Sequence, residues 1–284
     1  MNKKTIIPSV NFHLWQPCNM RCGFCFAKFQ DVKSSILPKG HLPKDKAQKT
    51  IKLLADYGFE KITFVGGEPI LCPWLSELIK YAKLLGMTTM IVSNGTNLTE
   101  GFLKENQDFL DWVSISVDSL KEATNYNIGR TIKRKGVAIE FYQNLFNLIK
   151  KYDYRLKINT VVNSYNYKED LSKFIINVKP ERWKVFKVLP IIDQNHQEYN
   201  KFKISGVKFK MFLETHKMIS SLVKENNNDM IGSYVMVDPA GRFFDNTKGY
   251  YSYSSPIIEN GVEKALNEVN TDYEKFVNRK GIYK

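Results

Sequence analysis

Three of the four cysteines in this 284-residue chain are Cys18, Cys22 and Cys25, within the run Val10 to Phe26 that reads VNFHLWQPCNMRCGFCF. A C-x3-C-x2-C grouping would arise by accident roughly once in a thousand chains of this size and cysteine content, so it asks for a chemical reason. Thiolates bind soft metals, and four of them usually close an iron–sulfur cluster. Three leave one iron open to a small molecule offering an amine and a carboxylate. The competing readings are a structural zinc site completed by His13 or His41, or buried free thiols. Zinc usually comes with paired C-x2-C halves, and no second half occurs.

A loop that presents three thiolates needs a scaffold. With 43% hydrophobic residues the chain can bury a full core, and its length suits one barrel-like domain with an extension. Strands are expected at about 9–14, 61–65, 88–93, 112–117, 156–162 and 183–189, and helices with apolar residues at i, i+3, i+4 and i+7 at about 43–57, 74–86, 101–110, 137–152 and 168–178. Gly58, Gly86 and Gly136 with Pro43, Pro73 and Pro180 punctuate them. Strand then helix, repeated, predicts a parallel sheet with right-handed crossovers. The expected fold class is α/β, a partial (β/α)6 barrel over residues 1–190, with residues 191–284 an extension that packs on and caps it. Phe202 to Asn228 reads as one basic amphipathic helix, and Cys72 as a small residue at a helix start.

Buried parallel strands normally read as unbroken apolar runs, yet each of these has a polar face. Asn11 and His13, Lys61 and Thr63, Thr89 and Ser93, Ser114 with Ser116 and Asp118, Lys157 and Asn159, and Arg182 and Lys184 alternate with apolar partners. Side chains alternate across a strand, so the apolar sets, Met90 and Val92 among them, should face the helices and the polar sets the interior. Lining a barrel with such groups is costly without a polar ligand. Lys61, Lys157, Arg182 and Lys184, joined by Arg130 from the loop Ile128-Gly129-Arg130, would repel one another in an empty cavity. A multiply charged anion such as a triphosphate is implied.

At the strand ends, where such barrels keep their chemistry, Gly66-Gly67-Glu68-Pro69 lets backbone approach a ligand and adds a carboxylate. Ser93-Asn94-Gly95 and Ser116-Val117-Asp118-Ser119 fit either turns and caps or ligand contacts. The formal charge of +13 suits an anionic partner or marks a lysine-rich solvated surface. Four cysteines, three at one site, make no disulfide framework and favour a reducing compartment. No apolar run approaches a membrane span, and Met1 to Pro8 is short and polar, so a soluble cytoplasmic protein is expected.

The cysteine spacing, with Phe24 before the last cysteine, resembles the signature of radical S-adenosylmethionine (SAM) enzymes, and GGEP one strand–helix unit later resembles their motif for the methionyl amine. NFHLWQPCNMRCGFCF, EKITFVGGEP, MIVSNG, SISVDS, IGR, KINTVVN, ERWKVFKVL and SYVMVD then follow in an order that resembles the viperin family over about Ser9 to Asp238. Without an amphipathic membrane helix at its start, the chain resembles a prokaryotic member.

The resemblance implies a 4Fe-4S cluster on Cys18, Cys22 and Cys25, and SAM held by Gly66, Gly67, Glu68, Ser93 and Ser116. It implies a reaction in which the 5′-deoxyadenosyl radical takes hydrogen from C4′ of CTP, UTP or GTP and the 3′-hydroxyl leaves as water. The product would be a 3′-deoxy-3′,4′-didehydro nucleotide, a chain terminator in antiviral or antiphage defence. Arg130, Lys157, Arg182 and Lys184 would hold the triphosphate, Asn159 the sugar or phosphate nearby, and Asn11 and Lys61 the ribose hydroxyls, Lys61 assisting loss of the 3′-hydroxyl. Tyr234 would donate the last proton, a tyrosine of ordinary pKa near ~10 being protonated at neutral pH. The implied partners are the nucleoside triphosphate, an electron donor of flavodoxin or ferredoxin type and the iron–sulfur assembly machinery, with no membrane, no direct nucleic acid and a monomeric state.

Val65 departs from the family, standing where vertebrate members have a serine, and the end Gly281-Ile282-Tyr283-Lys284 lacks the tryptophan tail through which eukaryotic members receive their cluster. The stretch Gly249 to Tyr253 could order over the nucleotide or remain a surface loop. Two other functions stay open: another radical SAM reaction on peptide or RNA, and a zinc-dependent nucleic-acid-binding module.

Overall fold

The computed structural model describes residues 6–283; Met1 to Thr5 and Lys284 lie outside the described residues. The first half of the chain supplies β1 (Ser9–Trp15), β2 (Lys61–Gly66), β3 (Thr88–Ser93), β4 (Trp112–Ser116), a short hairpin of β5 (Thr131–Ile132) and β6 (Lys135–Gly136), then β7 (Arg155–Val162) and β8 (Arg182–Lys187). Apart from the hairpin these strands pair in parallel in the order β1-β2-β3-β4-β7-β8, as the strand–helix alternation predicts. The helices between them are α1 (Gln30–Ser35), α2 (Lys44–Tyr57), α3 (Leu75–Leu84), α4 (Glu100–Asn106), α5 (Glu122–Asn127), α6 (Ile139–Lys150) and α7 (Ser172–Val178).

The docking of α2 follows from its sequence. Pro43 opens it, Gly58 closes it with φ of 111°, and Ala47, Ile51 and Leu54, at i, i+4 and i+7, are buried. In α6 the same spacing buries Tyr142, Leu145, Phe146 and Ile149. Against these helices the strands press Phe12, Phe64, Ile115, Ile158 and Trp183, all fully buried. Each such side chain gains about 1.5–3 kcal/mol by leaving water, so the outer layer of the barrel is where its stability resides.

On β3 the faces are the reverse of those expected. The register pairs Thr63 with Met90 and Phe64 with Ile91, and paired residues of neighbouring strands share a face. Met90 and Val92 therefore line the interior, and Thr89 and Ser93 lie on the helix side. Thr89 is satisfied there: its hydroxyl donates to Phe109 O at 2.5 Å and its N–H to Asp111 Oδ2 at 2.8 Å. A hydroxyl with local partners carries no information about which way a strand faces.

Beyond residue 190 come α8 (His196–Phe202), α9 (Gly206–Thr215), β9 (Leu222–Glu225), α10 (Asn227–Met230), β10 (Val235–Val237), β11 (Arg242–Asp245), β12 (Ser252–Pro256), α11 (Ile257–Asn260), α12 (Val262–Asn267) and α13 (Tyr273–Asn278). The single helix expected from Phe202 to Asn228 does not form. Ser205 caps α9 by accepting from the Lys208 N–H at 3.2 Å, and the alternating run Leu222-Val223-Lys224-Glu225 pairs with β8 instead. β10 pairs with β1, and β11 and β12 continue that edge antiparallel. The result is one ten-stranded sheet whose two flanks both come from this C-terminal part. Cys72 is buried in the core just after the 3-10 turn Pro69–Leu71.

Two strand-end loops grip the cysteine loop from either side. The Gly67 N–H donates to Trp15 O at 2.6 Å and the Glu68 N–H to Pro17 O at 3.0 Å; opposite them, the Arg21 N–H donates to Gly129 O at 3.3 Å and the Gly23 N–H to Ile128 O at 3.1 Å. A Cβ on Gly67 would lie 2.2 Å from Gln16 O, and one on Gly129, whose φ is 82°, 2.2 Å from Arg21 O. Neither position admits a side chain.

Gly129→Ala is expected to cost about 1–3 kcal/mol in chemical denaturation and to lower the iron retained per chain after anaerobic reconstitution. Gly206→Ala, where nothing stands within 4 Å, should leave both unchanged. Equal behaviour of the two variants would mean that this grip does not hold the loop.

Candidate active site

Cys18, Cys22 and Cys25 are half-buried. The Met20 N–H approaches Cys18 Sγ at 3.4 Å and the Cys25 N–H donates to Cys22 O at 3.1 Å, so tight local turns set the positions of the thiols. Burial pushes all three up, Cys22 to about 12, while Arg130 pulls the other way. Such thiols become thiolates when a metal replaces the proton. Neither histidine completes a zinc site. His41 stacks on Trp15 at 4.0 Å with its Nδ1 bonded to Leu42 O at 2.8 Å, and His13 is buried against Phe26, Phe29 and Phe244. Among the described residues no three His, Cys, Asp or Glu side chains converge as a single-ion site. Three thiols without a fourth protein ligand fit a cluster with one open iron, and do not fit a structural zinc site, which takes four. The tyrosine-rich stretch after Gly249 is tied to this loop, since Tyr251 donates to Phe26 O at 2.9 Å and packs on Phe29 and Phe244.

Beside the cysteines, at the end of β2, Gly66 and Gly67 lead into Glu68, which is fully buried. Its carboxylate accepts from Ser93 Oγ at 2.8 Å, the Asn94 N–H at 2.8 Å and the Ile70 N–H at 3.1 Å. Burial pushes the Glu68 carboxyl up against the pull of those hydrogen bonds and of Arg130. Ser93 thus braces Glu68 and does not project into the interior. Ser116 sits half-exposed at the inner end of β4, paired in register with Asn159.

Arg130 lies apart from the interior lysines it was expected to join. Its guanidinium forms a buried ion pair with Asp118, and Nη1 is 4.0 Å from Met20 Sδ on the cysteine loop. Asp118 Oδ1 in turn accepts from the Val161 N–H at 2.7 Å, so β7 anchors the carboxylate that draws the arginine under the cysteines. The basic residues that follow form a two-residue hairpin turn, Lys133 and Arg134 taking φ of 48° and 67°.

Asn11, Lys61, Lys157, Asn159, Arg182 and Lys184 all share the inner face, as the register requires. Three of the cations gather around one ring: Lys61 Nζ is 3.4 Å from the centroid of Tyr283, the Arg182 guanidinium is 4.1 Å from it, and Lys157 Nζ donates to Tyr283 Oη at 3.4 Å. Trp112 meets that ring edge-on at 5.2 Å. Lys61, Lys157 and Arg182 have no ion-pair partner among the described residues. Burial and the neighbouring cations hold Lys61 down to about 6 and Lys157 to about 7.

Lys184 and Tyr234 belong to a second group. Lys184 Nζ is ion-paired with Glu225 and donates to Tyr234 Oη at 3.0 Å, and Tyr234 Oη donates to Glu225. Arg279 Nη1 is 3.4 Å from Glu225 Oε1, and its guanidinium covers the Tyr234 ring at 3.6 Å. Burial alone would push the Glu225 carboxyl up; Lys184 and Arg279 outweigh it and hold it below its ordinary range. Burial, reinforced by Glu225, raises the Tyr234 hydroxyl well above its ordinary value and keeps it protonated.

Among the described residues, the buried polar atoms on the inner face that lack partners include Thr63 Oγ1, Ser114 Oγ, Asn159 Oδ1 and Arg182 Nε. Each costs about 1–3 kcal/mol unmet, so together they ask for a polar ligand. The sequence reading misses Glu225, Arg279 and Tyr283. The alternation of Leu222 to Glu225 was the available signal for the first. The other two arrive on the tail after α13, where Lys280 takes φ of 55° and accepts at its carbonyl from Arg182 Nη2 at 2.7 Å.

This arrangement has counterparts among known proteins. The sequence pattern of the Radical SAM superfamily matches residues 15–175. An S-adenosylmethionine-dependent nucleotide dehydratase of Flammeovirga pacifica is 56% identical over 287 residues, 100% of this chain and 99% of that protein. Another, from Lacinutrix mariniflava, is 56% identical over 283 residues, and this chain spans 60% of its length. One from Siniperca chuatsi is 38% identical over 97% of this chain and 78% of that protein. Among solved structures, native anSMEcpe with bound AdoMet aligns with a TM-score of 0.71 at 16% identity, over 91% of this chain and 80% of that one. Streptococcus suis SuiB bound to S-adenosylmethionine aligns with a TM-score of 0.64 at 15% identity, over 83% and 59%; these two show a shared fold. The chain belongs to the radical SAM superfamily, whose members use a 4Fe-4S cluster and SAM, and within it to the S-adenosylmethionine-dependent nucleotide dehydratases.

Proposed function

We propose that this chain removes water from a ribonucleoside triphosphate held inside the barrel, converting CTP, UTP or GTP to its 3′-deoxy-3′,4′-didehydro analogue. One observation carries the reading: Lys61, Lys157 and Arg182 gather around one ring with no ion-pair partner among the described residues, beside unmet polar atoms on β2, β4, β7 and β8. A polyanion with a polyhydroxylated sugar satisfies both deficits.

When bound, the cluster on Cys18, Cys22 and Cys25 and its SAM supply the hydrogen-abstracting radical chemistry. The chain's own residues bind and orient. Gly66, Gly67 and Glu68 receive the methionyl amine of SAM. Arg130 and Ser116 suit its carboxylate, because Arg130 stands by the cysteines and away from the lysines. Lys157, Asn159, Arg182 and Lys184 hold the phosphates. Asn11 and Lys61 meet the ribose hydroxyls, and Lys61, recharged by the phosphates, eases departure of the 3′-oxygen. Tyr234 supplies the one proton with which the 3′-oxygen leaves as water.

An electron donor of flavodoxin or ferredoxin type and an iron–sulfur assembly system serve the cluster, and the setting is the cytoplasm. No helix among the described residues is long and apolar enough to cross a membrane. The product acts as a chain terminator in antiviral defence.

Anaerobic reconstitution followed by reductant, SAM and each triphosphate in turn should yield 5′-deoxyadenosine together with a triphosphate lighter by one water. Mass spectra without the lighter species for every nucleotide would sink the reading. Lys184→Ala should weaken nucleotide binding while SAM cleavage persists; loss of cluster loading would contradict this placement.

Lys61 and Lys157 also set a pH dependence. Their folded pKa values lie below the unfolded value, so between about 6 and about 10.5 the unfolded chain binds more protons and stability rises with pH. Lys157→Met should flatten that rise, by up to about 1.4 kcal/mol per pH unit, and weaken nucleotide binding about tenfold or more. Denaturation midpoints across pH 6 to 9 test the first effect and calorimetry the second.

A further inference from the structure

Glu225 is the one carboxylate among the described residues that pairs with the interior cations, and it is fully buried. Lys184 from β8, Arg279 from the tail after α13 and Tyr234 from the start of β10 touch it, while Lys157, Arg182 and Tyr283 stand near enough to feel its charge. The backbone that carries it is held in place. The next residue, Asn226, caps α10, its side chain accepting from the Asn228 N–H at 2.8 Å while its own N–H donates to Asp229 Oδ2 at 2.8 Å.

A triphosphate entering this space competes with Glu225 for Lys184 and Arg279. Two anions sharing the same buried cations repel strongly, because little water screens them. The cheapest relief for a walled-in carboxylate is a proton. We infer that Glu225 is the exchangeable counter-ion of the nucleotide site, surrendering Lys184 and Arg279 to the phosphates and taking up a proton as it does so. The inference rests on the nucleotide reading above.

The proton arrives one hydrogen bond from Tyr234. In this structure the Tyr234 hydroxyl donates its hydrogen to Glu225. A protonated Glu225 becomes a donor to Tyr234 Oη, which frees the tyrosine hydrogen to point into the barrel. The same exchange that binds substrate thus turns Tyr234 toward it. Support comes from the balance already described: burial pushes Glu225 up, and Lys184 and Arg279, with the hydrogen bond from Tyr234, hold it down.

The test is calorimetric titration of CTP, UTP and GTP into the reconstituted, SAM-loaded, unreduced protein, in buffers of matched pH and different ionisation enthalpy. Glu225→Gln should take up about one proton fewer per nucleotide bound than the unaltered chain, and its affinity should fall less steeply with pH, by up to about tenfold per unit. Equal proton uptake in both proteins overturns the inference while leaving nucleotide binding intact. If Glu225→Gln does not fold, the infrared difference spectrum of the unaltered chain decides: a protonated carboxyl stretch must appear on nucleotide addition, and its absence overturns the inference. Failure of all three nucleotides to bind overturns the nucleotide reading, and this inference with it.

Discussion

Repulsion among cations enclosed by protein is the constraint that organises this structure. Lys61, Lys157 and Arg182 crowd one inner surface around the Tyr283 ring, with no ion-pair partner among the described residues. Cation–π contacts return about 0.5–2 kcal/mol each, less than desolvation and mutual repulsion take. The lysines respond by shedding charge, and the shortfall is carried by the apolar layer outside the sheet, where Phe12, Phe64, Ile158 and Trp183 pack against the helices. The barrel is stable through its outside and reactive through its inside.

Two tiers follow. At the carboxyl ends of the strands the cysteine loop is fixed by backbone hydrogen bonds from the Gly67 and Gly129 loops, and Arg130 and Glu68 are each held by partners of their own. Deeper in, the cations and the unmet polar atoms of Thr63, Ser114, Asn159 and Arg182 face a shared space. The upper tier is held by hydrogen bonds and ion pairs of its own. The lower tier holds cations that have no ion-pair partner among the described residues. Radical chemistry needs this division, because a reactive carbon centre must meet one hydrogen while the remainder of the substrate is immobilised and water is kept away.

Much of this was legible because it is written locally. Cys18, Cys22 and Cys25 lie within one loop, and Lys157 with Asn159, or Arg182 with Lys184, sit two apart on a strand whose period is two. Legibility failed wherever a polar group finds an unforeseen partner. Thr89 bonds Phe109 and Asp111 and so occupies the helix side of β3. Arg130 is captured by Asp118. The run from Phe202 carries enough lysine and apolar residues to imitate a single helix, but Ser205 and the alternation at Leu222 to Glu225 divide it.

By itself the sequence determined the strand–helix alternation, the cysteine and glycine loops at the strand ends and, β3 apart, the polar inner face, since each depends on residues within a few positions of one another. Only the tertiary structure decided which charges are paired. Glu225, Arg279 and Tyr283 reach Lys184, Tyr234 and Lys61 from strands and a tail distant in the chain. Their meeting depends on how β9 and β10 flank the sheet and where the last helix ends. Electrostatic energy depends on distance and burial in space, and no local periodicity encodes either.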